Sequence, residues 1–142
     1  MANPGPSTTV ETYGQNLSTQ QAKRVLFTQY ALSLSAVADT QVNILGFGTR
    51  FVITDVLVSN SSGSTANVAG GAIALYTNQN AGGTALLGAT TLTGVTAANI
   101  SFNSTIAGPY TEVTATPQAY LRVTTAVAGG QVDVRIFGYD LS

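Results

Sequence analysis

From Lys23 onward the chain is built of short runs in which apolar and polar residues alternate, each run closed by Gly, Asn, Ser or Pro. A period of two sends successive side chains to opposite faces of an extended strand and does not make the continuous apolar stripe of a helix. Residues 25–34 (VLFTQYALSL) place Leu26, Tyr30, Leu32 and Leu34 on one face and Gln29 and Ser33 on the other. A helix beginning at Ser18, where Gln21 completes a capping box, could also use Leu26 and Tyr30. Residues 40–45 set Val42 and Ile44 on one side, and GFG at 46–48 reads as a turn.

Residues 50–59 (RFVITDVLVS) form the most β-rich run. Strict alternation gives them two apolar faces, Phe51, Ile53 and Leu57 against Val52, Val56 and Val58. That pattern predicts a central strand covered on both sides. A covered outer face asks for a neighbouring subunit, or for a loop of the same chain crossing the strand.

Further strands are expected at 72–77, 84–92, 98–106 and 110–114. Residues 60–71 read as a loop, NQNAGG at 78–83 as a hairpin turn, Gly108-Pro109 as a turn, and Pro117 as a strand stop. Residues 119–126 and 131–138 flank VAGG and predict a closing hairpin. Its inner face would set Leu121 against Ile136, Val123 against Val134 and Thr125 against Val132. Its outer face would set Tyr120 by Phe137, Arg122 by Arg135 and Thr124 by Asp133. Opposed arginines repel, so Asp133 or a carboxylate of a partner would have to sit between them.

Eight or nine such strands with turns every 8–12 residues define an all-β protein, a single antiparallel β-sandwich of jelly-roll type. It is expected to occupy residues 22–142, preceded by an extended N-terminal arm over residues 1–21. The arm holds Pro4 and Pro6, with Val10, Tyr13 and Leu17 as its sizeable apolar side chains after Met1. So little apolar surface does not offset a backbone ordering entropy of ~1–2 kcal/mol per residue. The arm is therefore expected to order only on a partner, through Val10, Tyr13 and Leu17.

Only 8% of the 142 residues are charged, with a net charge of −1, against ~25% in an ordinary soluble domain. Such a surface offers little field to steer DNA, RNA or anionic lipid, so neither nucleic acid nor membrane is an expected partner. Its composition matches the charge-depleted centre of a protein–protein interface. It equally suits a secreted or virion protein kept soluble by hydroxyl and amide groups. No apolar run approaches the ~20 residues of a transmembrane helix. No N-terminal stretch joins basic residues to an apolar run, so no signal peptide is expected.

The chain has no His and no Cys. Ser-His-Asp and Cys-His nucleophilic sites, His-ligated metals, thiolate zinc and disulfides are thereby excluded. Six carboxylates remain, Glu11, Asp39, Asp55, Glu112, Asp133 and Asp140. A glycosidase would need two of them at a fixed spacing over a sugar cleft, and the sequence does not pair them. Solvated or Arg-paired carboxylates are the simpler expectation, and the reading is of a protein that is not an enzyme. Residues 78–83 and 60–62 supply amides and hydroxyls without the clustered carboxylates of a calcium site. The glycines at 14, 46, 48, 82, 83, 129 and 130 fit turns and no phosphate loop, so no cofactor is expected. Tyr30, Phe51, Tyr76 and Phe102 read as core or rim, whereas Tyr110, Tyr120, Phe137 and Tyr139 could join an exposed patch.

Three stretches, GTRFVITDVLVSNSSG (48–63), GAIALYTNQNAGGTALLG (71–88) and AYLRVTTAVAGGQVDVRIFGYDLS (119–142), resemble small β-sandwich virion proteins of tailed bacteriophages. Within that group they look most like head decoration, or cement, proteins. The resemblance implies a homo-oligomer, often a trimer, bound to the major capsid protein on the outer surface of the head, with the arm reaching a neighbouring subunit. It carries over no catalytic residue. The expected interface comprises Val10, Tyr13, Leu17, Tyr120, Arg122, Arg135 and Phe137. A carbohydrate-binding module, or a tail-fibre or neck subunit, is the alternative.

Overall fold

A computed structural model describes residues 23–44, 49–61, 64, 67–96, 101–106, 108–114 and 119–141, with backbone alone at 101–103. Among these residues there are nine strands and no helix. The strands are β1 (Arg24–Ser33), β2 (Asp39–Val42), β3 (Phe51–Asn60), β4 (Ala72–Asn78), β5 (Gly82–Thr91), β6 (Ser101–Thr105), β7 (Glu112–Val113), β8 (Ala119–Thr125) and β9 (Gln131–Asp140). They form two antiparallel sheets, β1-β9-β3-β6 with β7 beside β3, and β2-β8-β4-β5. The protein is an all-β sandwich. The arm at 1–21, the helix start at Ser18, the GFG turn and Pro117 lie outside the described residues.

The two sheets enclose one core. Leu34, Val42, Phe51, Val56, Val58, Leu75, Leu121, Val132, Val134 and Ile136 are each fully buried. They come from both sheets, so the inward residues of each sheet close the other's apolar face.

The central strand β3 does not follow strict alternation. Against β9, Ile53 pairs with Gly138 and Asp55 with Phe137, so Thr54 is an extra residue, a β-bulge. The bulge reverses the parity of the strand. Phe51 and Ile53 before it, and Val56 and Val58 after it, all enter the same core. The two apolar faces expected from the sequence are therefore not the real ones. The outward set is Val52, Asp55 and Leu57, registered with Tyr139, Phe137 and Arg135 of β9. Much of the expected demand for an outside cover disappears with this correction.

Beside the bulge the two backbones come unusually close. A Cβ on Gly138 would lie 1.9 Å from the Val52 carbonyl oxygen and 2.8 Å from Leu26 Cδ1. Only hydrogen fits there. Strand β1 carries irregularities between Val25 and Phe27 and between Gln29 and Leu32. At the second, Ala31 adopts φ 49° and donates its N–H to Asp133 Oδ1 at 2.8 Å. Tyr30 is thereby turned out of the expected apolar face and left 65% exposed.

The closing hairpin is also corrected. β8 pairs with β2 and β4, and β9 pairs with β1 and β3, so the two strands lie in different sheets. The link between them is held by the end of β1. Leu34 N–H donates to Gly130 O at 2.9 Å, and Val127 N–H donates to Leu34 O at 2.7 Å. Leu121, Val123, Val132, Val134 and Ile136 do point inward as expected. They belong to two facing layers rather than to one ladder. The expected hairpin at 78–83 is present, joining β4 to β5. Gly83 sits there at φ 70°, where a Cβ would fall 2.2 Å from Thr77 Oγ1.

Gly138→Ala should destabilise the sandwich by about 1–3 kcal/mol or more, because the bulged backbone must move to admit a methyl group. Urea unfolding of the variant beside the parent chain measures this. Equal midpoints would mean that β3 and β9 are not so close.

Candidate functional site

The expected interface residues of the body do not form one patch. Ala119, Leu121 and Val123 point into the core, so Tyr120 and Arg122 face outward from the β2-β8-β4-β5 sheet. Val134 and Ile136 point inward from the other sheet, so Arg135 and Phe137 face outward on the opposite side of the sandwich. The predicted opposition of Arg122 and Arg135 does not occur. Val10, Tyr13 and Leu17 lie outside the described residues.

On the outer face of the second sheet, Arg122 binds both oxygens of Asp39 at 2.9 and 3.0 Å. The register places Asp39 directly opposite Arg122. The second oxygen of Asp39 also accepts the Asn80 N–H at 2.9 Å, which ties the β4–β5 turn to β2. The same face holds a cross-strand row, Gln41 beside Tyr120 and Tyr120 beside Tyr76.

On the outer face of the first sheet the central group is Asp55, a carboxylate 5% exposed. It is ion-paired with Lys23, and it accepts hydrogen bonds from Thr54 Oγ1 at 2.7 Å and Thr105 Oγ1 at 3.0 Å. Burial pushes the Asp55 carboxyl up, but the hydrogen bonds from Lys23, Thr54 and Thr105, with the Lys23 charge, hold it below its ordinary value. Lys23, Asp55, Leu57 and Phe137 line an open depression of about 570 Å³. The Arg135 guanidinium lies 5.9 Å from the centre of the Tyr30 ring, within cation–π range, and donates to Ser59 Oγ at 3.4 Å.

The remaining ion pairs lie at the strand ends. Arg24 binds Asp140 at 2.5 Å, joining the start of β1 to the end of β9. Arg50 grips Glu112 with two bonds of 2.7 and 3.0 Å, fastening β7 beside β3. The hydrogen bonds from Arg50 hold the Glu112 carboxyl below its ordinary value. Of the five basic residues, four are thus paired with carboxylates and the fifth, Arg135, sits over a ring. The described carboxylates are divided among separate partners, and no three of them gather into a group that could hold a metal ion.

Sequence reasoning missed the depression around Asp55. Its only trace is an acid within an apolar strand, since the bulge that turns Asp55 outward leaves no mark in residue type. No protein-family profile, curated protein or solved structure matches this chain. Its architecture defines it as a β-sandwich protein, and any assignment of activity rests on its own residues.

Because the Asp55 carboxyl is depressed in the fold, its stabilising contribution is complete above the unfolded-state value and is lost as pH falls through the folded-state value. We expect stability to decline below about pH 4, with Asp55→Asn removing part of that decline in thermal melts taken across the acid range. On the opposite face, Asp39→Ala should cost about 1–3 kcal/mol by stranding Arg122. It should also speed hydrogen exchange at the Asn80 amide, which NMR reads directly.

Proposed function

We propose that this chain is a non-enzymatic structural protein of a bacteriophage virion, a decoration or cement protein that binds the major capsid protein on the outside of the head and stabilises the lattice. Strand order is the observation that carries this reading. Except for β4–β5 and β6–β7, sequential strands pass between the sheets, so that β1 lies beside β9, β9 beside β3, β2 beside β8 and β8 beside β4. A chain folded back on itself in this way supports a jelly-roll reading, an architecture of two Greek keys that recurs in viral capsid and lectin domains. The argument is a fold-level analogy, and the sites must add to it.

They do so through charge. Among the described residues four of the five cations are paired with carboxylates of the same chain, which leaves a described outer surface rich in hydroxyls, amides and single apolar side chains. Such a surface suits contact with another protein and has little to offer a polyanion. A lattice-binding role favours a homo-oligomer, a trimer by the resemblance given above, placed at the capsid surface.

The lectin half of the same analogy supports a second reading, a carbohydrate-binding module of a fibre or neck. The row Gln41, Tyr120 and Tyr76 beside the Asp39–Arg122 pair combines aromatic faces with fixed polar groups.

Purified protein should co-sediment with undecorated heads in hundreds of copies per particle and delay their thermal rupture. A dozen copies or fewer would place it at a neck or fibre. Failure to bind heads, together with glycan binding abolished by Tyr120→Ala, would overturn the decoration reading in favour of the second.

A further inference from the structure

We infer that the depression on the outer face of the first sheet is a docking groove for the chain's own N-terminal segment, residues 1–22, held in place by the Lys23–Asp55 pair. The inference does not depend on the virion reading, and it replaces the expectation that the segment orders only on a partner: apolar groups already presented beside its root supply the surface on which it orders.

The first observation is the depression itself. Leu57 and Phe137 are half-buried and face outward, and exposed Val25 is registered with Phe137 at the adjoining edge. Apolar side chains so grouped on the outside of a sheet gain by being covered. A volume of about 570 Å³ falls within the ~300–1,000 Å³ of sites that accept several apolar groups at once.

The second observation is where the segment starts. Lys23, the residue that follows it, forms part of the wall of the depression. From the start of β1 its side chain crosses β9 and meets Asp55 on β3. A carboxylate in the middle of an outward sheet face would ordinarily be open to water, yet Asp55 is enclosed and takes Lys23, Thr54 and Thr105 as partners. The ion pair therefore fixes the root of the segment at the groove.

Reach and charge fit the same occupant. Five residues lie between Leu17 and Lys23, so the two are up to ~20 Å apart when extended, whereas four strands are about 15 Å across. Leu17 can therefore cross the full width of the sheet at the end where Lys23 sits. On an extended chain Tyr13 and Leu17 point to the same side, ~13 Å apart. Residues 1–22 contain one charged side chain, Glu11, so covering the groove strands almost no charge. A segment tethered at the wall competes at an effective concentration in the millimolar range, well ahead of a second copy in dilute solution.

The chain contains no cysteine, so Leu57→Cys introduces a single thiol into the groove. Its rate of alkylation by iodoacetamide is compared in two full-length chains, Leu57→Cys alone and Leu57→Cys with Tyr13→Ser and Leu17→Ser. The expected result is labelling at least about tenfold slower in the first chain, unchanged on dilution. Equal rates would overturn the inference. Protection that disappears on dilution would overturn it too, by assigning the cover to a second copy. A thiol at the inward position Val58, introduced as Val58→Cys in both backgrounds, serves as the control. It should stay protected in both, and its opening in the Tyr13 and Leu17 variant would place the segment in the core and refute a surface groove.

Discussion

The extra residue at Thr54 in β3 sets the arrangement of the first sheet. A strand ten residues long with uniform alternation would divide Phe51, Ile53, Val56 and Val58 between two faces. Fully burying one such side chain is worth ~1.5–3 kcal/mol, so leaving two of them outside would be a heavy loss. The bulge brings all four inward. It also turns Asp55 outward at the middle of the sheet and presses the β3 backbone against β9, where residue 138 must be glycine. Core, buried carboxylate and obligatory glycine are three results of one change in register.

Scarcity of charge acquires a structural meaning beside this. Each ion pair joins segments distant in sequence, and each sits where a ladder begins, ends or turns outward. Arg24–Asp140 closes the β1–β9 ladder, Arg50–Glu112 holds a two-residue strand that could not persist alone, and Arg122–Asp39 secures an edge strand of four residues. Isolated surface pairs contribute little to stability. Their value here lies in geometry, since they fix short strands that have few ladder hydrogen bonds of their own. What faces water is then largely hydroxyl, amide and single apolar groups.

The two outer faces consequently differ in chemistry. One carries Tyr76 and Tyr120 beside a fixed Asp–Arg pair. The other has Leu57 and Phe137 around a carboxylate closed off by Lys23. A surface that pairs two unlike faces offers different chemistry on its two sides.

Much of this was legible in the residues. The period-two pattern and the turn residues determined an all-β sandwich, and nearly every inward side chain of β2, β8 and β9 could be named from alternation alone. The absence of His and Cys by itself rules out Ser-His-Asp and Cys-His nucleophilic sites and thiolate- and imidazole-ligated ones. Alternation, however, says which face a residue occupies and nothing about which strand lies beside it. The pattern of residues 119–138 therefore implies a hairpin, although their strands belong to opposite sheets and Arg122 finds Asp39 83 positions away. Nor does residue type announce a bulge. Thr54 and Ala31 are ordinary strand residues whose special roles come from neighbours on β9, and only the packing of the two sheets decided that Tyr30 turns out and that Val56 turns in.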